Sequence, residues 1–443
     1  MNAAKLYGNL IWREQKKDPA KAGRMISAGL HLYAWSIRHF PHKGMPKAYQ
    51  YLNDQGLENV AKGLDDPGKL AWTNIFAPVE ILECFGLTCV SMECLSSYLS
   101  GFYIEDRILD KAESEGIAST LCSYHRGFIG AVDKGILPLP EFAVTTSMVC
   151  DANINTFRYM EEMHGVKSHV IDIPHDYSPE AEHYVVEQLR DLIRELEEKT
   201  GRKLDMEELK NRLRSENRAK AHLISFMKKR RTHAYPQTMT LVLFQLFASH
   251  LNIGKEWSEK VFEMMDKEVE SYPDTDEKKI MWLHVEPYAQ PTLQSYFNYG
   301  DKISISCDDF DLDYIEPLDA EHPLEALARK MICNIYNGDY SRKTDAVADY
   351  IREFRPDGVI QFCSWGCKQS AGGVGLMKEK MRDLGVPMLI LDGDAIDRRN
   401  CPDGQIKTRL EAFLELLNSS DEKSSSRDPN VAAADHAEAE VHE

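Results

Sequence analysis

An alternation in the C-terminal third narrows the folds open to this chain more than anything else in it. KISISC (302–307), GVIQF (358–362) and PMLILDG (387–393) are short runs that are β-rich or wholly apolar, and the helix-patterned stretches LEALARKMICNIY and VGLMKEKMRDLG stand between them. Strands that lack polar alternation are covered on both faces, and a helix between successive strands is the crossover that parallel pairing requires. The pattern predicts a doubly wound parallel-sheet lobe over 296–418, closed by a helix at TRLEAFLELL (408–417).

The same texture recurs upstream. LAWTNIF (70–76) reads as a short buried strand, Pro78 as a helix opener and VEILECFG (79–86) as a helix stopped by Gly86. FAVTTSMVC (142–150) and SHVIDIP (168–174) flank the helix-like NINTFRYMEEMHG, with Gly165 at its C-terminal cap. A first α/β lobe is therefore expected at 66–175. Residues 1–65 read as a helical lead-in, with Met25, Leu30, Leu32, Tyr33 and Ile37 at roughly helical spacing. Residues 176–295 read as a mainly helical region. It opens with Ser178 and Pro179 as cap and first turn, carries Val185, Leu189, Leu192, Ile193 and Leu196 on one face, and restarts at Asp205 with Glu208 three residues on. The segment 419–443 is acidic, polar and aperiodic, and disorder is expected there. A chain of 443 residues exceeds what one core usually supports, so several domains are the expected arrangement.

Charge and cysteine usage exclude some function classes. A formal net charge of -18 opposes phosphodiester backbones. The N-terminus lacks an uninterrupted apolar core, and no run of about 18 apolar residues occurs, so a cytoplasmic protein is expected. Ten cysteines in a reducing compartment are then thiols or metal ligands rather than a disulfide framework. In doubly wound lobes ligands gather at the carboxyl ends of strands. Cys150 closes one strand-like run, Cys363 and Cys367 follow another, and Cys122 sits in LCSYHRG within the first lobe. Thiolates select zinc, copper(I) or iron-sulfur clusters, and neither paired CxxC motifs nor the common ferredoxin spacings are present. Cys84, Cys89, Cys94 and Cys333 lie in apolar runs and read as buried small hydrophobes.

At these segments the chain resembles component D of the 2-hydroxyacyl-CoA dehydratases, a family shared with benzoyl-CoA reductase subunits. The resemblance runs from about 70 to 417 and is most specific in GVIQFCSWGCKQSAGGVGLMKEKMRDLGVPMLILDGDAIDRRN; APVEILECFGL is similar to an early family motif containing a glutamate. Carried over by motif, Cys122 (LCSYHR), Cys150 (MVCD) and Cys367 (WGCKQ) are the implied ligands of one 4Fe-4S cluster. Cys367 is preferred to Cys363 because it precedes Lys368; Cys363 keeps no assigned role, and with Cys307 and Cys84 it suggests a double-cubane variant. The resemblance implies a lyase, or a related ATP-dependent reductase subunit, that dimerises with a related chain or itself. A separate ATP-hydrolysing iron-sulfur activator would inject one low-potential electron, turning a CoA thioester into a ketyl radical anion that expels its hydroxyl group.

Glu80, in the family-like motif, is the candidate proton-transfer group, or else an ordinary carboxylate at a helix start. His125 and Arg126 adjoin Cys122 and read as local packing partners or as donors to cluster sulfur or substrate. The basic run Lys228, Lys229, Arg230 and Arg231 reads as a solvated helix end in preference to a site for coenzyme A phosphates. Two other readings remain: a non-catalytic electron-transfer partner, and a zinc-stabilised α/β binding protein.

Overall fold

Residues 2–425 are described by the structure, a computed structural model. Eight strands form two four-stranded sheets, parallel throughout. β1 (Leu70–Thr73), β2 (Thr88–Ser91), β3 (Phe142–Thr146) and β4 (Ser168–Ile171) lie in the order β2-β1-β3-β4. β5 (Lys278–Leu283), β6 (Ile303–Asp308), β7 (Gly358–Ser364) and β8 (Met388–Gly393) repeat it as β6-β5-β7-β8. In each sheet the first strand is central and winding reverses between the first and third strands. Loops leaving the carboxyl ends of those two strands diverge there and open a crevice.

Every residue of β1, β3, β5, β6 and β7 is buried, as helices on both faces of a parallel sheet require. The expected two-lobe α/β architecture is thus present, with two strands, β2 and β5, unforeseen. β5, the central strand of the second sheet, falls inside the region expected to be helical. Its apolar core is only IMWL, preceded by DEKK, and so short a run carries no periodicity that separates strand from helix.

The lead-in is three helices, Ala3–Gln15, Pro19–His39 and Lys47–Asp65. The second buries Ile26, Leu30, Ala34 and Ile37, a stripe at i+4 and i+3 steps that turns Leu32 and Tyr33 outward, contrary to the sequence expectation. Helix Lys47–Asp65 is capped from afar: the Glu268 carboxylate accepts the backbone N–H groups of Lys47 (2.9 Å) and Ala48 (3.0 Å). Helices Pro179–Thr200 and Met206–Lys229 start as expected. The Ser178 hydroxyl accepts from the Ala181 N–H, and the Asp205 carboxylate from those of Glu207 and Glu208.

The basic run at the end of helix Met206–Lys229 is not simply a solvated terminus. Lys228 pairs with Glu353, Lys229 with Asp266 and Glu270, and Arg230 is buried over the Phe226 ring. The last helix spans Asp403–Ser425, so the chain stays helical past 419, where disorder was expected; the remainder of that tail, 426–443, lies outside the described residues. Among the described residues, no helix is long and apolar enough to cross a membrane.

Candidate functional site

Local structure explains where each thiol emerges. Cys150 follows β3 after a short turn in which Val149 takes a left-handed backbone (φ 71°), and it opens helix Asp151–His164. Cys367 follows β7 after Gly366 (φ 79°). β3 and β7 are the switch-point strands of their sheets, so both thiols leave at crevices. Cys122 opens helix Ser123–Asp133, which packs so closely on helix Glu105–Ser114 that a Cβ at Gly130 would lie 1.8 Å from the Ile108 carbonyl oxygen.

The lobes touch at Gly366. A Cβ there would meet the Cys122 backbone nitrogen at 2.5 Å and the Thr120 carbonyl oxygen at 2.7 Å, so only glycine allows the β7 loop to abut the Cys122 segment. Around this junction lies a cavity of about 560 Å³ lined by Thr120, Leu121, Cys150, Asp151, Gly366 and Cys367. Asp151 and Lys368 face each other at the surface, 3.3 Å apart.

A second contact ties Cys122 to the second lobe. Buried Asp394, just past β8, accepts a hydrogen bond from the Ser123 hydroxyl and lies 3.5 Å from the Arg126 guanidinium. Arg126 also donates to the Leu121 carbonyl at 2.7 Å. Ser123 and Arg126 flank the first turn after Cys122, so the position of that thiol depends on both lobes.

The thiols sense one another's charge. Burial pushes the Cys122 thiol well up, and the charges of Cys367 and Cys150 push it further, while the Tyr124 N–H opposes them. Burial raises Cys150 to about 11, with Cys367 adding to it and the N–H groups of Ala152 and Asn153 opposing. Charge on any one of these sulfurs is thus felt at the others, which places them near one another. The nearby imidazoles do not supply a positive charge, because burial lowers His125 to about 4, and burial with the charge of Lys343 holds His284 well below its usual value.

Among the described residues, no three His, Cys, Asp or Glu side chains come close enough to hold one metal ion. This offers no preformed site for a structural zinc. Three soft thiol donors from separate segments are the donor type that iron-sulfur groups take.

Other cysteines stand apart. Cys84 is surrounded by Arg212, Glu208 and Glu83, and Cys307 by Asp308, Ser306 and Arg230. Cys363 is within electrostatic reach of Cys367, but its thiol donates to the Ser370 carbonyl at 3.3 Å.

Glu80 is buried and bound to Lys330, whose Nζ bridges the carboxylates of Glu80 and Glu216 at 2.7 Å each. Burial raises Glu80 to about 7 against the pull of Lys330, with the charge of Glu216 helping. Glu80 does not line the cysteine cavity. A void of about 30 Å³ is lined both by its partner Lys330 and by Met148, two residues before Cys150.

Three residues near the thiols escape sequence reasoning. His284 follows the unrecognised β5, and Asp394 is one of many acidic residues in its stretch. Glu93, whose charge reaches Cys150, carries a buried oxygen without a partner and is raised to about 7 by burial. A lone carboxylate in MECLSS, just after an apolar strand, was its only signal.

The family model described as 2-hydroxyglutaryl-CoA dehydratase, D-component, matches residues 74–417. The (R)-phenyllactyl-CoA dehydratase alpha subunit of Clostridium sporogenes is 22% identical over 378 residues, covering 79% of this chain and 89% of that protein. The alpha subunit of the (R)-2-hydroxyglutaryl-CoA dehydratase of Acidaminococcus fermentans is 24% identical over 314 residues, covering 65% and 62%. One of the benzoyl-CoA reductase subunits of Thauera aromatica is 20% identical over 351 residues, covering 69% and 78%.

Proposed function

We propose, from the premise that this chain belongs to the 2-hydroxyglutaryl-CoA dehydratase D-component family, that it is an iron-sulfur subunit of a 2-hydroxyacyl-CoA dehydratase. The observation that carries the proposal is the meeting of Cys122, Cys150 and Cys367, from three distant segments, at the junction of two switch-point crevices. These three side chains would hold a 4Fe-4S cluster. Held by three protein thiolates, such a cluster would supply low-potential one-electron chemistry and Lewis acidity toward an outside ligand.

The chain's own residues have separate tasks in this reading. Gly366 and Asp394 keep the lobes in register, so that thiols from both face the same junction. The walls contributed by Leu121, Ile129 and Val149 make the adjoining cavity apolar on one side and limit water. Glu80, held near neutrality, is the proposed group that holds or releases a proton, with Lys330 positioned against its carboxylate. Relatives named alpha subunits support a companion chain, related or identical, and their names as CoA dehydratases support a CoA thioester substrate; a separate ATP-dependent iron-sulfur activator is part of the proposal. The five-part division of the chain is retained as a proposal, with the start of the second lobe moved upstream to take in β5.

A subunit of a benzoyl-CoA-type reductase is the second reading, supported by the Thauera relative. An accessory electron-transfer role differs from both in leaving substrate binding to the companion. Iron and acid-labile sulfide per chain after anaerobic expression test the cluster, with about four of each expected. About eight would favour the double-cubane variant, and zinc without iron would remove the enzyme reading. A spectral change of the cluster on adding a 2-hydroxyacyl-CoA separates a substrate-binding chain from an accessory one. Glu80→Gln should abolish turnover with iron intact, and loss of iron would make Glu80 structural.

A further inference from the structure

Two of the three sulfurs have an imidazole nitrogen directed at them, one from each lobe. His284 Nε2 lies 3.3 Å from the Cys367 sulfur, and His125 Nε2 lies 3.8 Å from the Cys150 sulfur. We infer that His284 and His125 donate N–H···S hydrogen bonds to Cys367 and Cys150, as positioning residues that raise the reduction potential of the group these cysteines hold. The inference rests on the iron-sulfur reading above and adds to it a means of tuning.

The ring environments accommodate the proton on Nε2 in both histidines, the tautomer assigned from the surrounding hydrogen bonds. His284 Nδ1 is buried with no partner. A buried orphan N–H is rarer and costlier than a buried orphan acceptor, so the proton belongs on Nε2, facing sulfur. His125 Nδ1 lies 2.8 Å from the Thr156 hydroxyl. That hydroxyl is able to donate to Nδ1, and in that arrangement the N–H is on Nε2.

The His284 ring is held firmly for this task. Its backbone takes a left-handed conformation (φ 73°) uncommon for a residue with a side chain, and its backbone N–H donates to Asp309 at 2.8 Å. Asp309 pairs with buried Lys343 at 2.7 Å, and the ring packs against Phe310 and Tyr336. A local strain kept by an ion pair and two aromatic rings serves to fix where Nε2 points. An N–H dipole aimed at a ligand sulfur stabilises negative charge there, and reduction adds negative charge, so the donor favours the reduced state. The shorter contact gives His284 the larger share.

The test is a potentiometric titration, followed by electron paramagnetic resonance, of the anaerobically prepared full chain with iron counted in each variant. His284→Leu should move the midpoint to more negative potential, His125→Leu should move it less in the same direction, and His284→Gln, which keeps an N–H donor of similar reach, should stay near the wild type. An unchanged midpoint in an iron-replete His284→Leu overturns the inference, as does iron loss in His284→Gln, which would mark His284 as a ligand or a folding element. If His284→Leu alone fails to hold iron, the sign of the His125→Leu shift decides. Failure of the cluster reading itself is distinguishable, since the wild-type chain would then contain no iron.

Discussion

The two lobes share one strand order and end in different chemistry. At the carboxyl ends of β1 and β3, Thr73, Asn74, Thr145 and Thr146 are all fully buried and neutral, and Asn74 donates to the Thr146 hydroxyl at 3.1 Å. After β5 and β6 the second lobe buries five carboxyl groups, Glu286, Asp308, Asp309, Asp311 and Asp313. Buried carboxyls must find a cation, a set of donors or a proton. Asp309 has Lys343, and Asp311 accepts from Gln245 and Ser249. Burial pushes Asp313 up, but His250 and Asn334 outweigh it and bring it to about 2. Glu286 and Asp308 lie well above their usual values, chiefly through burial and then through the neighbouring carboxylates. Topology alone therefore does not set the chemistry of a switch point. In this chain the ends of β1 and β3 are neutral and the segments after β5 and β6 are acidic, and each lobe delivers a thiol to the same place.

The contrast breaks first at Lys343. Lys343→Met would strand the buried Asp309 carboxylate and should destabilise the protein by about 3–5 kcal/mol, measured by denaturant unfolding. A loss below about 1 kcal/mol would mean that the charges of the second lobe are not held as described. The junction comes next. Gly366→Ala should cost about 1–2 kcal/mol for the left-handed backbone, with roughly 1–3 kcal/mol more for overpacking against Cys122. It should also lower iron content, which elemental analysis reads, because the Cys122 segment must retreat.

Glu286→Gln sharpens the comparison through pH. A folded-state value raised above the unfolded one gives stability that is full below the unfolded pKa, near 4.3, and lost as pH rises through the folded value, at up to about 1.4 kcal/mol per pH unit for one proton. Denaturation midpoints of the wild type should therefore fall more steeply from pH 5 to 9 than those of the variant. Parallel profiles would show that Glu286 stays ionised in the fold. Asn74→Ala, at the neutral strand ends of the first lobe, should cost only about 1 kcal/mol, with no change in pH profile.

Much of the fold was legible because its local signals agree with one another. Ser178, Asp205 and Gly165 cap their helices as their residue types suggest, and six of the eight strands, all but β2 and β5, fall on runs of apolar or β-branched residues that read as strands. β5 was not legible because four apolar residues after a charged run fit a buried strand or a helix turn equally. The outward turn of Leu32 and Tyr33 was hidden for a related reason: several stripes can be drawn on an apolar-rich helix, and only its neighbours choose one.

The sequence by itself determined the elements, the parallel architecture and the residue types available for metal chemistry, because capping, periodicity and thiol softness act within a few residues or a single side chain. Only the tertiary structure decided that Cys122, Cys150 and Cys367 converge on one junction, that Glu80 belongs to a buried pair with Lys330, and that His284 faces a sulfur. Those relations join residues tens to hundreds of positions apart. They depend on where two sheets come to rest against each other, which is fixed by contacts such as Gly366 against Cys122 and Asp394 against Ser123. No local pattern carries that information.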